Sequence, residues 1–233
     1  MAIARSPRLE IVPSVCPHDC TSTCALEVEK IDERTIGYVR GSHRNTYTDG
    51  VICEKVGRYA ERVHHPDRLL YPLRRVGPKG SRRFERVGWA EALDVAADAF
   101  IRQAKTYGPE TVWPYYYAGT MGLVQRDGIN RLRHAMGYSR WYSTICVALS
   151  DAGWAAGVGD KRGADFREVD EHADLVVIWG GNPVNTQVNV MQHAMRARRR
   201  GAPLVVVEPY RTGTPEKADI HLPLWPGTDR GLP

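Results

Sequence analysis

The sequence predicts an α/β protein in which a small β-rich domain precedes a doubly wound, mostly parallel α/β domain. Two stretches near the C-terminus, ADLVVIWGGN and APLVVVEPYRT, are continuous apolar runs separated by a helical stretch near residues 187–200. Such runs are typical of parallel strands that are covered on both faces. Residues 24–40 instead alternate between polar and apolar side chains, which favours a small hairpin.

Composition and charge narrow the classes of function. The chain has 233 residues, of which 42% are hydrophobic and 25% charged, as in an ordinary globular protein. The net charge of +5 comes from scattered Lys and Arg residues without a base-stacking motif, so we expect no nucleic-acid binding. The N-terminal region lacks the apolar core of a signal peptide, and no segment is long and apolar enough to span a bilayer. These features predict a cytoplasmic location.

The N-terminal hairpin is predicted from two short strands, residues 25–29 and 35–39, which flank a polar turn. A proline-containing, charged segment follows and is typical of an extended connector. His64 and His65 begin this segment and are interpreted as solvated linker residues, with a metal site as the alternative. The sequence therefore predicts three parts: a small N-terminal domain at residues 1–60, a connector at 61–87, and an α/β domain at 88–233.

Four cysteines in the N-terminal domain predict a metal centre. Cys16, Cys20 and Cys24 are each separated by three residues, and Cys53 follows at a distance. One loop could direct three sulfurs to a common centre that the fourth cysteine closes. The wide CxxxCxxxC spacing favours a [4Fe-4S] cluster over zinc, whose ligand pairs usually lie in tight CxxC turns. Buried structural cysteines and a disulfide are weaker alternatives.

The second domain begins with an amphipathic helix from residue 88 that ends at Gly108. A strand is predicted near residues 111–117, then a helix that ends at Gly137. The WYSTIC stretch predicts a further short strand, and the small residues of ALSDAGWAAGVG allow a helix that a ligand can approach closely.

Polar and glycine residues follow the two apolar strands of the βαβ unit. Ligands of doubly wound folds lie beyond the carboxyl ends of the strands, where glycines let a phosphate approach the backbone. A simple strand-ending turn is the alternative interpretation of WGGN. The residues at these two ends are Gly180, Gly181 and Asn182, and Glu208, Arg211 and Thr212.

The motifs CPHDCTSTC, GVICEK, TIC with AGWAAG, ADLVVIWGGNP, VVVEPYRTGT and KADIHLPLWPGTD occur in this order. Together they resemble the N-terminal part of the molybdopterin oxidoreductase family, the family of dimethyl sulfoxide reductase and formate dehydrogenase. The resemblance covers nearly the whole chain. It implies a [4Fe-4S] cluster and molybdenum bis(molybdopterin guanine dinucleotide) as cofactors, and a small molecule as substrate.

The resemblance also implies roles for individual residues. Cys16, Cys20, Cys24 and Cys53 match the cluster ligands, and Lys55 matches a lysine between cluster and pterin, with an ordinary surface lysine as the alternative. Cys146 stands where the family presents its protein ligand to molybdenum, and its alternative is a buried core cysteine. The residues that match the motifs for the guanine dinucleotide are Asn182, Glu208, Arg211, Thr212 and Asp229.

Family catalytic chains are several times longer than this one, so the sequence is interpreted as truncated and its α/β domain as incomplete. Three interpretations stay open: a fragment of a larger oxidoreductase, a subunit completed by a second chain or an electron-transfer subunit, and a noncatalytic iron-sulfur electron carrier. The truncated chain alone is expected to bind the molybdenum cofactor weakly and to show no appreciable turnover. The substrate is not predicted.

Overall fold

The structure, a computed structural model, describes residues 10–116, 123–142 and 147–232. The described residues form two compact units. One unit combines the residues up to His64 with those from Arg162 onward, and the other lies between His65 and Lys161. No helix in the described part of the chain is long and apolar enough to cross a membrane.

The N-terminal segment is a three-stranded antiparallel sheet followed by two short helices. The strands are β1 (Glu10–Val15), β2 (Ala25–Lys30) and β3 (Ile36–Gly41), and their order in the sheet is β1-β2-β3. Helices α1 (Glu54–Gly57) and α2 (Tyr59–Val63) complete the segment. The predicted hairpin is confirmed as the β2–β3 pair, because Leu26 pairs with Gly41 and Val28 with Val39.

The sheet has a small core to which cysteine contributes directly. Cys24, Leu26, Val39 and Val56 are buried together, and Cys16 and Cys53 are among the partly buried residues that pack against them. With so few apolar residues, a group bound by these thiols would add to the stability of the segment.

The loop between β3 and α1 lies very close to the end of the sheet. A Cβ atom at Gly41 would be 2.1 Å from the main-chain oxygen of Gly50, so this approach requires glycine. The loop that leads to Cys53 is therefore held against the end of β3, where Gly41 pairs with Leu26, two residues after Cys24.

The second unit contains a hairpin within the predicted connector and three long helices. Helix α3 ends at Gly108, as predicted, where φ is 97° and favours glycine. The elements are β4 (Leu73–Arg75), β5 (Phe84–Arg86), α3 (Trp89–Tyr107), α4 (Leu123–Met136) and α5 (Val147–Val158).

The strand predicted near residues 111–117 is wrong for the described residues. Pro109–Thr111 form a single 3-10 turn, and residues 112–116 have no strand partner. Pro114 explains the difference, because it has no N–H to donate to a neighbouring strand. Most of the predicted WYSTIC strand, residues 143–146, lies outside the described residues.

The C-terminal segment contains a parallel sheet, which confirms the predicted α/β class. Strands β6, β7 and β8 are neighbours in this order, and both pairs are parallel. Helix α8 connects β6 to β7, so the βαβ prediction is also confirmed. The elements are α6 (Phe166–His172), β6 (Val176–Trp179), α7 (Pro183–Thr186), α8 (Val188–Arg200), β7 (Leu204–Val207) and β8 (Ile220–Leu222).

The core of this sheet lies between its strands and α8. Its buried members are Ile178, Met191, Ala194, Leu204 and Val206. Val177 and Trp179 alternate with Ile178 and are half exposed, so the described residues cover one face of β6. The core fixes α8 in position, and the N-terminal end of this helix reaches residues 16–53, the cysteine segment.

Candidate metal centre

The four cysteines lie at the ends of local elements of the N-terminal sheet. Cys16 follows β1, Cys24 precedes β2, and the Cys16 amide donates to the Cys24 oxygen at 2.9 Å to close the loop between them. Cys20 lies inside this loop, in a turn that the Thr23 amide closes at 3.2 Å. Cys53 is the residue before α1. The sheet and the short helix thus direct all four cysteines to one side of the segment.

A single cavity of about 270 Å³ receives the four cysteines. All four are free of disulfide bonds. No group of three or more His, Cys, Asp or Glu residues in the described ranges is arranged to hold one metal ion. The four cysteines thus line one shared space. The cavity is lined by Cys16, His18, Asp19, Cys20, Ser22, Thr23, Cys24, Cys53, Lys55, Val56, Thr186 and Val188.

The environments of Cys16 and Cys24 disfavour ionisation of these two thiols when no metal is bound. Burial raises the pKa of Cys24 to about 11, and the nearby Cys16, Cys20 and Cys53 act in the same direction. Burial also raises the pKa of Cys16. At neutral pH these two groups are protonated thiols, so metal binding must release protons from them.

The segment that connects β6 to α8 contacts the cysteine cavity from the other side. Lys55 donates from Nζ to the main-chain oxygen of Asn185 at 2.8 Å. Cys20 Sγ lies 3.9 Å from the main-chain oxygen of Thr186. Asn189, at the start of α8, is fully buried and donates from Nδ2 to Cys24 Sγ at 3.3 Å. The parallel sheet thus positions the residues that close the cavity.

At the end of β6, the backbone of Gly180 is accessible, and a hydrogen bond holds the side chain of Asn182. Gly180 has a φ of 64°, and no atom lies within 4 Å of the position of a Cβ. Gly181 would place a Cβ 3.6 Å from Ile178, an ordinary contact. The Asn182 side chain accepts a hydrogen bond from Thr214 Oγ1 at 2.7 Å and so ties this turn to the loop after β7.

The loop after β7 carries the remaining candidates. Glu208 is half-buried, and its main-chain oxygen accepts from His221 Nε2 at 3.0 Å. Arg211 is exposed. Thr212 is half-buried, and its buried hydroxyl has no hydrogen-bond partner among the described residues. A buried polar atom without a partner is uncommon in proteins and indicates a position where a ligand could bind.

The two remaining candidate residues are Asp229, which the structure describes, and Cys146, which it does not. Asp229 accepts a hydrogen bond from Trp179 Nε1 at 2.9 Å, so it lies beside the end of β6. It therefore belongs to the same end of the sheet as Gly180. Cys146 lies outside the described residues.

Sequence reasoning missed the contribution of Asn189 and assigned no catalytic role to His18, which lies inside the cysteine loop. His18 Nε2 lies 2.7 Å from the hydroxyl of Tyr59, which connects the cysteine loop to α2. For Asn189 the available signal was a polar residue at a helical position where its neighbours, Met191 and Ala194, are buried.

Comparison with family models assigns both parts of the chain. Residues 9–65 match the model described as molybdopterin oxidoreductase Fe4S4 domain, and residues 68–232 match the model described as molybdopterin oxidoreductase. The first match contains all four cavity cysteines. The second contains all candidate residues at the strand ends.

The chain is also similar to individual proteins along most of its length. The chain is 34% identical to probable oxidoreductase YoaE of Bacillus subtilis, over 95% of its own length and 32% of that protein. It is 30% identical to dimethyl sulfoxide reductase DmsA of Escherichia coli, over 96% of its own length and 30% of that protein. Among solved structures it is similar to acetylene hydratase from Pelobacter acetylenicus, with 26% identity and a TM-score of 0.65, covering 91% of this chain and 29% of that one.

The chain thus spans about 30% of the length of the relatives it matches. Because the family models account for residues 9–65 and 68–232, and the fold agrees with that of a solved relative, this chain belongs to the molybdopterin oxidoreductase family.

Proposed function

We propose that this chain is the cluster-binding and pterin-binding part of an oxidoreductase that depends on a [4Fe-4S] cluster and on molybdopterin guanine dinucleotide. When bound, these groups supply two-electron chemistry at molybdenum and transfer of single electrons through the cluster. The chain's own residues would bind and orient the two groups and set their electrostatic environment. The observation that carries the proposal is the cavity shared by the four cysteines.

Cys16, Cys20, Cys24 and Cys53 would hold the cluster. Zinc bound by four thiolates needs each sulfur about 2.3 Å from one ion. The four cysteines line one cavity of about 270 Å³, and their CxxxCxxxC spacing is wider than the tight CxxC turns of zinc sites, which supports a polynuclear cluster. The donor set also fits, because iron-sulfur clusters are held by four cysteine thiolates.

The residues at the strand ends would hold the pterin nucleotide. Gly180 exposes backbone that a phosphate could approach, and the Thr212 hydroxyl is a buried group in need of a partner. Glu208 offers a carboxylate and Arg211 a guanidinium for a purine and a phosphate. Asn182 would position the loops through Thr214, and Asp229 would act beside Trp179. Two pterins on one molybdenum is the arrangement that we propose for the whole protein.

Two further residues are assigned roles near the metal. Cys146 would supply a thiolate to molybdenum, which suits a metal that is already bound by sulfur. Lys55 lines the cysteine cavity, and its ammonium would support electron transfer between cluster and pterin electrostatically. Other parts of a longer protein or a second chain would complete the substrate site. We also propose the domain organisation that the sequence predicts: a domain at residues 1–60, a connector at 61–87 and an α/β domain at 88–233.

The nucleotide form of the cofactor is the most informative test. The chain is reconstituted with its cluster and brought to equilibrium by dialysis against the molybdenum cofactor in its dinucleotide or mononucleotide form, because binding by this chain alone is expected to be weak. Oxidised pterin is then measured by fluorescence, and GMP after acid hydrolysis. We expect preferential retention of the dinucleotide form, with equal amounts of pterin and GMP, and weaker retention by Thr212→Val and Glu208→Gln.

The outcomes separate the alternatives. Equal retention of both cofactor forms would contradict the assignment of the guanine dinucleotide. A chain that holds iron but no pterin of either form would favour a noncatalytic electron carrier. Thr106→Val is a matched control for Thr212→Val, because the exposed Thr106 hydroxyl lies in α3 and donates to the main-chain oxygen of Arg102 at 2.8 Å.

A further inference from the structure

None of the roles proposed above accounts for the buried side chain of Asn189. It lies at the start of α8, 165 residues after Cys24 in the sequence, and its side chain is fully buried. One amide hydrogen faces Cys24 Sγ at 3.3 Å, and Nδ2 also lies 3.4 Å from the main-chain oxygen of Val51. A carbonyl oxygen is only an acceptor, so the amide nitrogen, and not the oxygen, must point toward this pair.

The orientation of the Asn189 amide lowers the stability of the fold. The Asn189 Oδ1 atom is buried and has no hydrogen-bond partner among the described residues. A buried acceptor without a partner is destabilising, and such groups in native proteins often mark redox or catalytic sites. Both donors of the amide, in contrast, are directed at the cysteine segment.

The two contacts of Asn189 reach both parts of the proposed ligand set. Cys24 belongs to the loop that carries three cysteines, and Val51 lies two residues before Cys53. One side chain from α8 therefore fixes the spacing between the loop and the fourth cysteine. The same side chain places an N–H group against one ligand sulfur.

We propose that Asn189 is a positioning residue for the cluster, which raises the reduction potential of the cluster through its N–H···S hydrogen bond to Cys24. This inference rests on the proposed function, since it requires that Cys24 binds a cluster. Reduction adds negative charge to the cluster and its sulfur ligands. A hydrogen-bond donor at sulfur stabilises the reduced form more than the oxidised form and makes reduction easier.

The test compares the wild-type chain with Asn189→Leu, which keeps a similar volume and removes both donors. The matched control is Gln192→Leu on the same helix, because the Gln192 amide is buried but makes no hydrogen bond to the described residues. Iron and sulfide content are measured first, followed by a potentiometric titration monitored by electron paramagnetic resonance. We expect four irons in all three proteins and a lower midpoint potential in Asn189→Leu alone.

A second measurement begins with the wild-type chain, so its first result does not require a variant that keeps its cluster. The wild-type chain is labelled with ¹⁵N-asparagine, and pulsed electron paramagnetic resonance of the reduced cluster detects nitrogen coupled to the cluster. We expect a coupling that is lost in Asn189→Leu and retained in Asn185→Ser, which keeps the main-chain oxygen that accepts from Lys55.

Each remaining outcome has a defined meaning. An unchanged midpoint potential in an iron-replete Asn189→Leu would overturn the inference and leave the proposed function intact. If Asn189→Leu loses its cluster, the wild-type coupling decides, and its absence would overturn the inference. A wild-type chain with no iron-sulfur cluster would overturn both, and its iron content shows this directly.

Discussion

His193 connects helix α8 to the loop before Cys53, because its Nε2 atom donates to the main-chain oxygen of Tyr47 at 2.9 Å. The ring is fully buried, and its Nδ1 atom lies 2.9 Å from the Asp170 carboxylate. Arg196 also contacts Asp170, at 3.3 Å, and contacts Asp49 at 2.7 Å. This network joins α6 and α8 to the cysteine segment inside one compact unit.

Replacing His193 with Leu is expected to destabilise the chain substantially. The change removes two hydrogen bonds of a buried ring and leaves the Tyr47 oxygen without this donor, while the Asp170 carboxylate keeps its contact with Arg196. The expected loss in the free energy of unfolding is about 2–4 kcal/mol. Urea unfolding followed by circular dichroism measures it. His172→Leu is the control, since its ring is exposed, and equal stability of the two variants would contradict the network's importance.

The Asp219 carboxylate gives the fold a predictable response to acid. A bidentate hydrogen bond from Arg198, and a second bond from the Leu204 amide at 2.9 Å, lower the pKa of Asp219 from 3.8 to about 2. A carboxylate with a lowered pKa stabilises the folded state above its unfolded pKa. This contribution is lost as pH falls toward the folded pKa.

We therefore expect the metal-free chain to lose stability between about pH 4 and pH 2, and Asp219→Asn to lose less over the same interval. Thermal unfolding at a series of pH values measures the effect. Asp174→Asn is the control, because the Asp174 side chain is fully exposed. Identical pH profiles for the wild type and Asp219→Asn would show that the ion pair between Arg198 and Asp219 does not contribute to the pH dependence of stability.

Much of the C-terminal fold could be predicted because its signals are local. The apolar runs before Gly180 and around Val206 and the helical period between them fix a βαβ unit. Strand β8 was missed because three residues, Ile220–Leu222, are too short to show a period. The strand near 111–117 was wrong because an apolar, aromatic composition outweighed the missing donor at Pro114.

The candidate site was less predictable than the fold. Cysteine spacing identifies the thiols, since one loop carries three of them. The contacts of Lys55 with Asn185 and of Asn189 with Cys24 join residues 130 and 165 positions apart, and no local pattern encodes them. Such pairs depend on how α8 packs against the N-terminal sheet.

Lys55 should influence the potential of the cluster without being required for its assembly. Lys55 lines the cysteine cavity, and a positive charge beside a cluster stabilises its reduced form, which carries more negative charge. Lys55→Met is expected to keep its iron and to show a lower midpoint potential, as removing a positive charge disfavours reduction. A potentiometric titration measures the shift.

The control for Lys55 is Lys30→Met, because Lys30 is paired with Glu10 and Glu33 on the sheet. Its midpoint potential should equal that of the wild type. A potential that is unchanged in Lys55→Met as well would indicate that the Lys55 charge is screened from the cluster.

The central claim is that Cys16, Cys20, Cys24 and Cys53 hold one [4Fe-4S] cluster. The most direct test is the iron, sulfide and zinc content of the chain after anaerobic purification and reconstitution, with Cys20→Ala, Cys53→Ala and the fifth-cysteine variant Cys146→Ala as matched comparisons. We predict about four irons and four sulfides per chain for the wild type and Cys146→Ala, and loss of the cluster in Cys20→Ala and Cys53→Ala alike. One zinc per chain without sulfide, or a cluster retained in Cys53→Ala, would contradict the claim.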